Sequence, residues 1–290
     1  MKKFLIVAFA AAALGLSACG ATASLNGAVA SLGSSADLQV HVTMSASGAG
    51  TASEQPILNA LSLDVDYSNP SGSSLAQSGG KANVEMIVNA GGTPVVDLRE
   101  VNNALYLEVN VNAVSNIPSL HLSASDLAAA QLLLGGRWFE VPASLLTSSF
   151  PETSTMKANA AKEQVAAKKI ADALEKLIDT TPYTTLSGGG YSQTGTLESV
   201  VKAVLPAIQS LDGNTGTVSS VQGTYQLTLT TSGTSATGGS ITLTAPNGTQ
   251  GNASVTLTAT IAHASDSITA PANPTVVTRS MLKGLLAEAK

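Results

Sequence analysis

The sequence predicts an α+β protein: a single antiparallel sheet with helices gathered on one of its faces. Three observations lead there. Short segments alternate apolar and polar residues with a period of two. Two longer stretches in mid-chain repeat apolar residues at helical spacing. The order is strands, then helices, then strands, which excludes regular βαβ alternation and gathers the helices together.

The chain has 290 residues and opens on Lys2 and Lys3, followed by an almost wholly apolar run from Phe4 to Leu16 and the small residues Ser17 and Ala18. A charged start, an apolar run of this length and a small-residue cleavage site form an export signal, too short for a permanent membrane span. Directly after it stands Cys19, the single cysteine of the chain. No second apolar run approaches about 18 residues. Residues 20 to 35 begin as a small-residue tether and pass into "LNGAVASLGSS", a short helix.

From Ala36 the period becomes two. Leu38, Val40, Val42 and Met44 share one face of a strand, and Asp37, Gln39, His41 and Thr43 the other. Leu61, Leu63, Val65 and Tyr67 alternate with Ser62, Asp64 and Asp66, and Ala82, Val84, Met86 and Val88 with Asn83, Glu85 and Asn89. A strand from about Pro94 to Val101 meets "NALYLEVN" through Asn102-Asn103, a tight hairpin turn because Asn tolerates positive φ. Each strand has one wet side, so the sheet is expected to be antiparallel.

"SASDLAAAQLLLGG" reads as a helix with Ser123 and Asp126 at capping-box spacing and a glycine pair as its stop. "RWFEVP" is a short strand carrying the one tryptophan, Trp138. A clear amphipathic helix runs from about Lys157 to Asp179, with Ala166, Ile170, Ala173, Leu174, Leu177 and Ile178 opposite Lys162, Lys169, Asp172, Glu175 and Lys176. "LSGGGYSQTG" reads as a flexible turn before a second helix, "TLESVVKAVLPAIQSL", which Pro206 is expected to kink or end near Leu205. The last third returns to strands in "YQLTLTT", "SITLTA" and "NASVTLTATIAH", separated by the loops "SGTSATGG" and "PNGTQGN". "DSITAP" could add an edge strand, and "RSMLKGLLAEAK" a fraying terminal helix.

Composition narrows the function. Without Lys2 and Lys3 the chain holds 12 basic against 19 acidic residues and no basic cluster, so no nucleic-acid partner is expected. His41, His121 and His263 lie far apart, which gives no metal-ligand spacing, and neither metal nor cofactor is expected. There is no Gly-x-Ser-x-Gly elbow, and "SGGGYSQTG" lacks the Walker lysine. Asp64, Asp66, Glu85, Glu108 and Glu140 fall on polar strand faces, where solvation is the favoured reading over a catalytic pair. No enzymatic activity is expected. Trp138 and Phe139 read either as a hydrophobic lip or as core.

Leu16-Ser17-Ala18-Cys19 resembles a bacterial lipobox. That resemblance implies cleavage after residue 18, a diacylglyceryl thioether on Cys19, and attachment to the outer face of the cell membrane, stable because two or three chains share the load. "NALYLEVN" and "GGRWFEVP", together with "AVASLGSSADLQVHVTM", resemble the LppX and LprG lipoproteins, which belong to the superfamily of the lipoprotein carrier LolA. The resemblance implies a signal peptide over 1–18, a lipidated tether over 19–35, one domain over 36–277 with a helical insert at about 123–211, and a tail over 278–290. It also implies a curved antiparallel sheet left unclosed as a half-barrel, with helices packed on its concave face and a greasy cavity between them for the acyl chains of a lipid or lipoglycan, carried or presented with an envelope transporter as a possible partner. The side bearing Val42, Met44, Leu63, Val65, Val84, Met86, Leu105, Leu107, Leu227, Leu229, Leu243 and Leu257 would line it. A packed core demands the same residues at the same positions, so the pattern alone leaves both readings open. The alternative is a structural or interaction lipoprotein without a ligand cavity.

Overall fold

The computed structural model describes residues 34–48, 55–74, 82–115, 123–142, 181–212, 221–233, 235–247, 251–263 and 267–281, with single residues at 32, 77, 117 and 145 and parts of a helical stretch within 165–180. The export signal and Cys19, and most of the tether, helix start and terminal tail expected from the sequence, lie outside these residues.

The fold is α+β. Its strands are β1 (Asp37–Gly48), β2 (Leu61–Ser68), β3 (Asn83–Ala90), β4 (Thr93–Val101), β5 (Ala104–Val109), β6 (Trp138–Val141), β7 (Tyr183–Thr185), β8 (Tyr191–Thr196), β9 (Thr224–Ser232), β10 (Ser235–Pro246), β11 (Asn252–Ala262) and β12 (Thr275–Val276). They are hydrogen-bonded in the order β12-β6-β5-β4-β3-β2-β1-β11-β10-β9-β8-β7, so the sheet is not closed into a barrel. The sheet is mostly antiparallel, as the half-wet strands require; β12 runs parallel to β6. The helices are α1 (Gln55–Ala60), α2 (Val111–Ser115), α3 (Ala124–Leu134) and α4 (Leu197–Asp212), besides the stretch within 165–180.

The described residues fall into two compact units. The first draws on Ser34–Thr43, Pro56–Pro151 and Ile261–Lys290, the second on Met44–Gln55 and Glu152–Thr260. In the first, Asn102 and Asn103 take φ of 52° and 66°, the left-handed pair that a two-residue hairpin between β4 and β5 needs. Ser123 caps α3 by accepting from the Asp126 N–H at 3.1 Å, and Gly135 and Gly136 stop the helix. In the second, β9, β10 and β11 carry threonine and serine along one side. The Thr242 and Thr256 hydroxyls meet at 3.0 Å, and those of Thr228 and Ser240 at 2.5 Å, each pair directly opposite in the register. Cross-strand hydroxyl pairs stitch this face together.

Several local expectations are corrected. The stretch "LSGGGYSQTG" is a turn only as far as Gly190; Tyr191–Thr196 is strand β8, paired with β7 and β9. Its alternation is hidden in the sequence because Tyr191, Gln193 and Gly195 form the inner set and none is aliphatic. Gln193 is buried, and its amide donates to the Thr181 carbonyl at 2.7 Å. The expected helical insert over 123–211 therefore contains a β-hairpin. Pro206 neither ends α4 nor shortens it: the helix runs from Leu197 to Asp212. The ring removes one backbone bond, but Val204 and Ala207 on either side of it pack against Ile170 and hold the helix together. Most of "SGTSATGG" is strand, since β9 ends at Ser232 and β10 starts at Ser235, with a bulge between Ala236 and Gly238. "DSITAP" adds no edge strand; Ile268 is buried in a core cluster instead, and Thr275–Val276 forms the edge.

Gly190 sits at φ +106°, and a Cβ there would collide with the Leu229 carbonyl across the β8–β9 ladder. Gly190→Ala is expected to destabilise the protein by about 2–3 kcal/mol, combining left-handed strain with a backbone clash. Urea unfolding of the two proteins side by side measures it.

Candidate functional site

The β1–β6 ladder has two chemically opposed faces, fixed by its register. Val42 stands opposite Leu63, which stands opposite Val88; Val65 is opposite Met86, and Met86 opposite Leu98. Leu98 then faces Leu107, and Leu107 faces Phe139. Of the residues expected to line a cavity, Val42, Leu63, Val65, Val84, Met86, Leu105 and Leu107 thus share one face of the first unit. In the second unit Leu227, Ile241 and Leu257 form one cross-strand row, with Leu229 and Leu243 on the same side. Met44 joins that side, because Ser47 on the other side of β1 meets Ser254 at 2.9 Å, among the hydroxyls of β11.

The burial of these residues differs sharply along the first face. Leu38, Val40, Val42 and Val65 are buried, whereas Val84, Met86 and Val88 of β3, Val96 and Leu98 of β4, Leu105, Leu107 and Val109 of β5, and Phe139 and Val141 of β6 are all only half-buried. A fully covered sheet face would bury its aliphatic side chains almost completely. In the second unit Met44 and Leu257 are buried, and Leu227, Leu229 and Leu243 are half-buried.

The opposite face of the first unit is charged. Asp66, Glu85, Arg99, Tyr106 and Glu140 form one cross-strand row, and His41, Asp64, Ile87, Asp97, Glu108 and Trp138 the next. Arg99 is its centre: one guanidinium nitrogen lies 2.7 Å from Glu85 and 3.0 Å from Asp97, and the group stacks 4.6 Å above the Trp138 ring. Arg99 also reaches the Thr269 carbonyl at 3.5 Å, while the Asn83 amide donates to the Ile268 carbonyl at 3.0 Å. These bonds lay the segment around Ile268 across the charged face, where Ile268 closes a cluster with Val101, Tyr106, Ala104 and Trp138. Trp138 is therefore core on this face and Phe139 belongs to the apolar one, so the two do not form a joint lip.

Asp64 holds the His41 ring at 2.5 Å with one oxygen and accepts from the Asn89 amide at 2.6 Å with the other. Burial pushes the Asp66 carboxyl above its ordinary range; the Gln39 hydrogen bond opposes this and the Asp64 charge adds to it. Its Oδ1 has no hydrogen-bond partner among the described residues. Glu85 is likewise raised by burial, with Arg99 pulling it down and Asp97 and Asp66 pushing it up. Tyr106 is raised by burial and by Glu140. Arg99 is the residue that sequence reasoning passed over; Glu85, Asp97 and Arg99 do stand at alternating strand positions, but their pairing depends on the β3–β4 register.

Two pockets flank this unit. One, of about 490 Å³, lies beside Asn69, Ser71, Asn83, Glu100, Asn102 and Asn103. The other, of about 270 Å³, opens between Val95, Asp97, Glu108, Asn110, Val111 and Gln131. Both linings mix amides and carboxylates with apolar surface. Among the described residues no group of three or more His, Cys, Asp or Glu side chains is placed to hold a metal ion. His41 and His263 are far apart in sequence and separately bonded, His263 to the Ser35 hydroxyl at 3.4 Å, and His121 lies outside the described residues. Cys19 also lies outside them. No model of a known protein family matches the chain, and no curated protein matches it.

Removing Arg99 leaves Glu85 and Asp97 half-buried without their cation. Arg99→Ala is expected to lower stability by about 1–2 kcal/mol, less than for a fully buried pair because solvent still reaches the site. Arg99→Lys should recover only part, since an ammonium cannot span both carboxylates and the tryptophan ring. The raised carboxyls set a pH trend. A carboxyl whose folded pKa exceeds its unfolded one binds more protons in the native state, so its contribution to stability grows as pH falls through the folded value. Asp66→Asn is expected to raise the thermal midpoint at pH 7 by about 1–3 °C, and to flatten the gain that the parent protein shows between pH 7 and pH 5. Calorimetry across that range reads both.

Proposed function

We propose that this chain is an exported lipoprotein, anchored through Cys19 to the outer face of the cell membrane, that holds an acyl chain of a lipid or lipoglycan against the apolar face of β2–β6. The observation that carries this reading is that face itself: ten aliphatic or aromatic side chains on four adjoining strands are half-buried where a closed core would bury them. A hydrocarbon tail laid there gains about 25 cal/mol for each Å² of apolar surface removed from water, offsetting the loss of bilayer packing. Helices packed over the concave side of a curved sheet, with the tail between the layers, complete the arrangement. Transfer needs no covalent step, because binding and release are an equilibrium between bilayer and protein, and an envelope transporter could draw on the loaded form. The lipobox-like Leu16-Ser17-Ala18-Cys19 supports the anchor.

A second reading, an interaction lipoprotein without a ligand cavity, is supported by the two pockets, whose linings set amides and carboxylates among the apolar groups so that neither is a purely apolar slot for a hydrocarbon. The two readings separate experimentally. The chain from residue 20 onward, extracted with organic solvent, is expected to release about one acyl lipid per protein, and Leu107→Asp should cut that stoichiometry at least tenfold while circular dichroism stays unchanged. No lipid in the extract, together with no uptake of a fluorescent acyl probe, would leave the second reading. In cells, Cys19→Ala is expected to abolish palmitate labelling and release the protein from the membrane fraction.

A further inference from the structure

Helix α3 does something unusual for an 11-residue helix: none of its residues is buried. Its sequence, ASDLAAAQLLL, is nevertheless mostly Leu and Ala, and its one charged residue, Asp126, is bound into the Ser123 cap at 2.6 Å. Between Leu127 and Gly136 there is no charge at all. Leu132 is 73% exposed and Leu133 51%, two large aliphatic side chains adjacent in sequence on the open side of a helix whose Leu127, Ala130 and Leu134 are half-buried. Single exposed leucines are ordinary on protein surfaces, but an adjacent exposed pair in the uncharged last two turns of a helix is not.

A cation stands beside the pair. Exposed Arg137 reaches back to the Leu132 carbonyl at 3.5 Å, placing its guanidinium at the same end of the helix as the leucines. Apolar side chains next to an arginine that can pair with phosphate oxygens match the boundary of a phospholipid layer, with hydrocarbon below and headgroups level with the charge. The chain also limits how far this helix can be from such a layer. Cys19 and Ser34 are 15 residues apart, which even fully extended span only about 50 Å, so an acylated Cys19 keeps the first unit permanently near the bilayer. At that effective concentration a small apolar tip suffices for contact.

We infer that α3 is a bilayer-contact element: Leu132 and Leu133 enter the interfacial region of an anionic phospholipid surface, and Arg137 pairs with its phosphates. The inference rests on the proposed anchoring through Cys19. It is tested on the full lipidated chain reconstituted in vesicles of phosphatidylcholine and phosphatidylglycerol at three to one. A single cysteine added by Leu133→Cys carries an environment-sensitive dye, as does a control at Lys202→Cys, whose side chain is solvent-exposed. Bromine-labelled lipids are expected to quench the dye at 133 at least fivefold more than the dye at 202, and Arg137→Gln should lower that quenching at least twofold. Leu132→Asp, combined with the dye at 133, should bring it to the control level.

Equal quenching at 133 and 202 overturns the inference, as does a blue shift at 133 that appears without lipid and grows with protein concentration, which would make the helix a self-association surface. The mass of the N-terminal peptide from the same sample distinguishes the two claims. An acylated Cys19 with no quenching at 133 removes the helix contact and leaves the anchor, whereas an unacylated Cys19 removes the anchor and the inference with it.

Discussion

The register of the β1–β6 ladder is the constraint on which the rest depends. Side chains alternate across a strand with a period of two, so a slip of one residue in any pairing would carry aliphatic side chains onto the charged face and charged ones onto the apolar face. The observed register carries Val42, Leu63, Val88 and Val96 across the apolar face, and stacks Asp66, Glu85, Arg99, Tyr106 and Glu140 across the other. A shift between β3 and β4 would separate Glu85 from Arg99 and push a guanidinium toward hydrocarbon. One cation shared by two carboxylates and an indole ring thus penalises mispaired registers.

That arrangement also divides labour between the faces. On the charged side the segment around Ile268 is pinned through Arg99 and Asn83, and the half-buried carboxylates Glu85 and Asp97 are stabilised by a shared cation. The aliphatic side remains incompletely covered from β3 to β6. The energetic asymmetry is the physical basis for treating the apolar face as the place where a hydrocarbon ligand would be stabilised. Polar readings of the molecule have to start from the pockets near Asn69 and Glu108, where amides and carboxylates offer hydrogen bonds beside apolar surface.

The threonine-rich second unit follows a different logic. Its outer side is held by hydroxyl pairs such as Thr242 with Thr256, and its helices pack on one another where Ile170, Val204 and Ala207 meet. Pro206 is tolerated because that contact outweighs one missing backbone hydrogen bond, a balance visible only once the neighbouring helical stretch is in place.

The sequence by itself determined the strands whose alternation is aliphatic, the Asn102-Asn103 turn and the Ser123 cap, because each depends on residues within a few positions of one another. It also determined which cavity candidates share a side within each strand, such as Val84 with Met86 and Leu105 with Leu107. Only the tertiary structure decided that Tyr191–Thr196 is a strand, that Arg99 joins Glu85 to Trp138, and that Ile268 is core. These depend on partners tens to well over a hundred residues away, brought together by pairings that a period-two pattern permits without specifying. The extent to which the apolar face is covered was decided there too, since a pattern marks which side chains avoid water and is silent on whether another layer meets them.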